Sequence, residues 1–233
     1  MPTNKNLNND ESSYVISYLQ LRKWVGWLGV LLPWVLLTGY YFLQRNCELP
    51  HSISHYYYTL MGTYFTGTLC AVGLFLFSYN GYNDEDRITA NFAAVCAVLV
   101  AFCPTNIKDG ISGELCNCIH VCIAENSTRN IIHYAAAALL FLALAYFCLV
   151  LFTKTSSAKT FSKEKQTRNL IYRICGWTIL VCIAVIGLTS IPLIAELSFV
   201  KNFKLLTFVF ETIALNAFGY SWLIKGETFF KDK

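Results

Sequence analysis

The chain reads as an all-α transmembrane protein, a six-helix bundle with both termini in the cytoplasm. Three observations predict this. Hydrophobic residues make up 55% of the chain and charged residues only 14%, with a mean hydropathy of +0.46, outside the range of soluble domains. The apolar residues gather in six runs, at about 24–43, 57–78, 88–103, 131–152, 174–195 and 205–224. Of the 18 Lys and Arg residues, 13 fall on the side that would hold both termini and 5 on the other. The positive-inside rule makes the richer side cytoplasmic.

Taken in order, residues 1–13 are polar and predict a disordered cytoplasmic tail, and residues 14–228 form the membrane domain. Tyr14 and Tyr18 share a face of a short interfacial helix. The first run continues past Trp34 and Leu37 with no small-residue cleavage site, so it predicts a retained helix rather than a signal peptide. On the second run, Gly62, Gly67 and Gly73 predict close helix packing. The third run has 16 residues and reaches only about 24 Å, so its flanks must snorkel or the bilayer must thin. Tyr79 to Asp84 carry a turn signal, and Asp84, Glu85 and Asp86 are placed to pair with Arg168 and Arg173. Residues 104–130 form a Cys-rich outer loop. The basic 153–173 loop fits contact with anionic lipid better than with nucleic acid.

Glu211 is the one acidic residue inside the sixth run. An acid at that depth is costly unless it is paired, protonated or hydrated, so it marks a polar contact. It lies about 9 Å from the outer end of its helix at helical rise. Asn216, five residues on, is poorly placed as a same-face partner, which points to a group on another helix. All four histidines fall on the outer side. His55 and His133 begin different runs and can converge with Glu211, and two imidazoles with a carboxylate are a common ligand set for catalytic zinc. Ser52, Ser54 and Tyr57 stand near enough to bond ligand or substrate. The alternative is that each histidine is a hydrated interfacial residue. His51 and His55 lie one helical turn apart, and Pro50 just before them also reads as a helix start.

Five cysteines, Cys70, Cys96, Cys148, Cys175 and Cys182, lie within runs and predict apolar packing. Cys47, Cys103, Cys116, Cys118 and Cys122 lie on the outer side, where an oxidising compartment favours disulfides over a metal site. Asn126-Ser127-Thr128 is a glycosylation sequon that matters only in a eukaryotic secretory system. The chain carries no Walker loop, dinucleotide fingerprint, HExxH or nucleophile elbow. It has no internal repeat of the kind that many transporters carry.

Ser52-Ile53-Ser54-His55-Tyr56-Tyr57-Tyr58-Thr59, Cys103-Pro104-Thr105-Asn106, Ile132-His133-Tyr134-Ala135 and Arg168-Asn169-Leu170-Ile171-Tyr172-Arg173 resemble an uncharacterised bacterial six-span family. That family is in turn similar to the broad DRAM, FRAG and Sfk group. The similarity covers about residues 25–225. It implies a six-helix bundle in the bacterial inner membrane and a role in lipid handling or remodelling. Relatives often place an acid where this chain has His55, so no catalytic role transfers directly.

The leading expectation is a multi-pass protein that acts on or senses lipid at the outer leaflet through His55, His133 and Glu211. As an enzyme it would perform metal-assisted hydrolysis, with zinc the expected cofactor and Glu211 as ligand or general base. Two rivals stand beside it. One is a small proton-coupled transporter or channel in which Glu211 titrates. The other is a non-catalytic scaffold whose outer loop binds a protein partner.

Overall fold

A computed structural model of the chain describes residues 4–44, 47–81, 83–107, 119–154 and 163–228. It is all-helical, with six longer helices: α1 (Asn4–Leu43), α2 (Gly62–Phe77), α3 (Asp84–Phe102), α4 (Ser127–Tyr146), α5 (Lys163–Thr189) and α8 (Leu206–Lys225). A 3-10 turn (Ser54–Tyr58) precedes α2, a π-helical turn (Phe147–Leu151) extends α4, and two short helices, α6 (Pro192–Ala195) and α7 (Ser198–Asn202), join α5 to α8. Each longer helix packs on the next, and α8 packs on both α5 and α1, so the six form a closed circuit.

Among the described residues, three helices are long and apolar enough to cross a membrane: Tyr18–Leu43 of α1, Ser127–Leu151 and Lys163–Thr189. α2 is apolar but has only 16 residues. α3 begins with Asp84, Glu85, Asp86 and Arg87, and α8 is diluted by Glu211, Thr212, Asn216 and Ser221. The outward face of α3 nevertheless carries Ile88, Phe92, Val95, Leu99 and Phe102 at helical spacing, all exposed. On α1 the same is true of Trp24, Trp27, Leu31 and Trp34. Large contiguous apolar faces of this kind need a covering that water does not supply.

Several boundaries differ from the sequence expectation. The polar start is helical from Asn4 rather than a disordered tail, and no Gly or Pro interrupts the chain between there and Gly26. The run at 174–195 breaks after Thr189, because Pro192 starts α6 and holds Ile191 in an extended conformation. α5 instead gains its length on the other side, beginning at Lys163. The turn before α3 is as expected: Gly81 sits at φ +63°, and the Asn83 side chain caps the helix by accepting from Asp86 N–H at 3.0 Å. Asp84 pairs with Arg87 at 2.9 Å, and Glu85 with Lys154 and Tyr146. The Lys154 ammonium and the Tyr146 hydroxyl hold the exposed Glu85 carboxyl below its usual range.

At the end of the bundle that carries this turn, Tyr79, Phe147, Phe152 and Trp222 form an aromatic cluster with ring centroids 5.1–6.0 Å apart. Arg22 is buried over it, 4.3 Å from the Tyr18 ring and 5.6 Å from that of Tyr79. It donates to the Lys225 carbonyl at 3.3 Å. A guanidinium is tolerated there because aromatic faces and a helix C-terminal carbonyl compensate its lost hydration.

α1 and α8 approach closely at a pair of glycines. A Cβ placed on Gly219 would stand 2.5 Å from the Gly26 carbonyl oxygen, and one on Gly26 would stand 2.8 Å from that of Gly219. Of the glycines singled out on α2, Gly62 and Gly73 are close to their neighbours, with a Cβ 2.2 Å from the Tyr57 carbonyl oxygen and 3.3 Å from that of Ala94 on α3, whereas a Cβ on Gly67 meets nothing within 4 Å.

Candidate functional site

At the opposite end, the segment between α1 and α2 folds inward instead of starting a helix at Pro50. Its backbone is fastened to α8 by two hydrogen bonds. Phe208 N–H donates to the His51 carbonyl at 2.9 Å, and Ile53 N–H donates to Glu211 Oε2 at 2.6 Å. The partner of Glu211 is therefore a backbone amide from another element. Asn216 is engaged elsewhere, accepting from Trp34 Nε1 at 3.2 Å and donating to the Thr212 carbonyl at 2.7 Å. Tyr56 anchors the segment in the core against Tyr40 and Phe208.

The 103–106 segment is fastened in turn to the first turns of α4. Arg129 Nε donates to the Pro104 carbonyl at 3.0 Å, and Asn106 N–H donates to Asn130 Oδ1 at 3.0 Å. Asn126, the sequon residue, caps α4 by accepting from Arg129 N–H at 3.0 Å. One turn on, His133 is 1% exposed. Its Nδ1 lies 2.7 Å from the Cys103 carbonyl oxygen and its Nε2 lies 2.9 Å from Ser54 Oγ. A carbonyl only accepts, so Nδ1 carries the hydrogen. In the neutral ring Nε2 then accepts from the Ser54 hydroxyl.

A second Ser–imidazole pair adjoins the first, with Ser52 Oγ 2.6 Å from His55 Nδ1. His55 lies in the 3-10 turn outside the apolar helices. Burial lowers its imidazole from 6.5 to about 4; the Asn106 backbone opposes part of that shift, and His51 and His133 add to it. The Nε2 of His55 makes no hydrogen bond of ordinary length to protein.

The sign of the pH effect follows. The unfolded imidazole takes up a proton near 6.5 and the folded one only near 4, so the stability present above 6.5 is lost as pH falls through that window. Melting of the purified protein should fall in temperature between pH 7 and pH 4.5. His55→Gln should lose less over the same interval, and equal losses in the two proteins would show that His55 is not the buried neutral group.

His55, His133 and Glu211 line one cavity of about 580 Å³, together with His51, Ser52, Ser54 and Thr105. Its other wall is apolar, from Ala137, Ala138 and Phe141 of α4 and Ile183 and Ile186 of α5. His51 Nε2, His55 Nε2 and Thr105 Oγ1 are buried with no protein hydrogen bond. Buried polar atoms of this kind are uncommon, and one role for them is to meet a polar ligand.

The donor set does not fit the zinc site expected from sequence. Among the described residues, no three His, Cys, Asp or Glu side chains gather closely enough to hold a metal ion. Both ring nitrogens of His133, Nδ1 of His55 and Oε2 of Glu211 are already engaged by protein groups. Of the outer-side cysteines, Cys103 and Cys122 are free thiols and Cys47 is disulfide-bonded. Cys116 and Cys118 lie outside the described residues.

No family model, curated protein or solved structure matches this chain. The sequence expectation placed Ser54 near ligand or substrate but paired it with no residue, and it gave the Cys103 carbonyl no role. The Ser-x-Ser-His spacing at 52–55 is the sequence signal for the serine.

Proposed function

We propose that this chain is a six-span integral membrane protein, with both termini cytoplasmic, that binds an amphiphilic lipid in the cavity at the outer end of the bundle. The cavity's division carries the reading. One end presents buried, unpaired polar atoms of His51, His55 and Thr105, suited to a headgroup or ester. The other presents the aliphatic and aromatic surface of Ala137, Ala138, Phe141, Ile183 and Ile186, suited to acyl chain. The exposed apolar faces of α1 and α3 support a bilayer setting, and the Lys/Arg asymmetry supports the orientation.

A phospholipid bearing a diazirine on its acyl chain, incorporated with the protein into nanodiscs, tests the reading. Crosslinks are expected on the α4 and α5 residues that line the cavity. Ala138→Trp fills the apolar end and should lower cavity crosslinking about tenfold, equivalent to about 1.4 kcal/mol. Crosslinks confined to the exposed faces of α1 and α3 would refute cavity binding.

A further inference from the structure

We propose that Ser54 is the nucleophile of an acyl-transfer site, with His133 as its base and a lipid ester as its substrate. The proposal rests on the reading that the cavity holds an amphiphile. It goes further in assigning a covalent reaction to one side chain.

The geometry is that of an activated hydroxyl. Ser54 Oγ is 2.9 Å from His133 Nε2, within the range for proton transfer to a general base. The Cys103 carbonyl, 2.7 Å from Nδ1, fixes the tautomer in which Nε2 holds the lone pair. It also faces the N–H of the imidazolium that forms on proton transfer, the part an orienting acceptor plays beside a catalytic histidine. Segment 103–106, which presents that carbonyl, is held to α4 by Arg129 and Asn130, so base and orienter move as one unit. The nucleophile is held separately. Its neighbour Ile53 is fixed by Glu211, which makes Glu211 a positioning residue. Ser54 and His133 both line the cavity, so the hydroxyl faces space where an ester could lie.

In the first step Ser54 Oγ attacks the ester carbonyl carbon as its proton passes to His133 Nε2. The tetrahedral intermediate collapses by breaking the bond to the alkoxy oxygen, which leaves with that proton as the alcohol. Water then attacks the acyl-serine, giving its proton to His133. Collapse releases the carboxylic acid and returns the proton to Ser54. We assign His55 Nε2 as the donor to the intermediate's oxyanion. With the Ser52 hydroxyl donating to Nδ1, Nε2 carries the hydrogen and has no protein hydrogen bond of ordinary length.

The test is covalent labelling of the full chain in nanodiscs with an alkyl fluorophosphonate, read by mass spectrometry of the peptide containing Ser54. We expect an adduct on Ser54 that disappears in Ser54→Ala. It should form on the order of 100-fold more slowly in His133→Gln, the range lost with a general base. Ser54→Cys guards against a folding artefact: it should be acylated by p-nitrophenyl octanoate as a thioester, and this too should slow in the double variant with His133→Gln. A merely structural Ser–His bond would leave Ser54 unlabelled, or labelled at a rate that His133→Gln does not change, and either result overturns the proposal. Diazirine-lipid crosslinking on the same preparation separates the two failures. Cavity crosslinks with an unlabelled Ser54 leave lipid binding standing without the reaction, whereas absent cavity crosslinks remove the reading on which the reaction rests.

Discussion

Gly219→Ala should lower the melting temperature of the purified protein by several degrees. The added Cβ would lie 2.5 Å from the Gly26 carbonyl oxygen and 2.7 Å from both the backbone nitrogen and Cγ2 of Val30. Two of those atoms belong to backbone, which cannot rotate away as a side-chain tip can, so α1 and α8 must move apart. Overpacking of this kind costs about 1–3 kcal/mol, or roughly 2–12 °C for a chain of this size. Gly67→Ala is the matched control, because its Cβ meets nothing within 4 Å. There the gain in helix propensity, about 0.5–1 kcal/mol, should leave melting unchanged or slightly raised. Identical melting of the two variants would mean that the α1–α8 approach is not tight.

Glu211→Ala should both destabilise the fold and slow labelling of Ser54, whereas Glu211→Gln should retain most of each. The carboxylate accepts from Ile53 N–H at 2.6 Å. Removing the acceptor strands a buried amide, at about 1–3 kcal/mol. The stranded amide belongs to the residue before Ser54, so the loss falls on the segment that aims the hydroxyl. Glutamine keeps an oxygen at the same reach and can still accept. Melting temperature and the fluorophosphonate rate, measured on both variants, decide the point. If Gln and Ala behave alike, charge rather than acceptance is what position 211 supplies.

The helical class was legible because apolar length is written directly in composition. Runs such as 131–152 leave few alternatives to a long buried or membrane-crossing helix. Boundaries were less legible where short-range chemistry overrides a run, as Pro192 does beyond Thr189. The tight glycine pair was not legible either. Gly62, Gly67 and Gly73 are conspicuous on one helix, but Gly26 and Gly219 meet only through the fold, 193 positions apart. At the candidate site, residue type and depth singled out His55 and His133, each polar at the edge of an apolar run, and Glu211, an acid inside one. Their partners, the Cys103 carbonyl and the Ile53 amide, are backbone groups, and backbone groups have no signature in sequence. Competition for the imidazole lone pairs could not be read before those partners were known.

The closed circuit of helices also has a consequence in time. α8 is synthesised after every helix it touches, and it packs on both α1 and α5. Until it arrives the ring is a horseshoe. The Ile53 amide then lacks the Glu211 carboxylate and the His51 carbonyl lacks the Phe208 amide, the two bonds that hold the 51–55 segment in place. A nascent chain can therefore hold His133 against the Cys103 carbonyl while the serine beside Ile53 is still unaimed. Docking of α8 would therefore close the circuit of helices and set both of these bonds in one event.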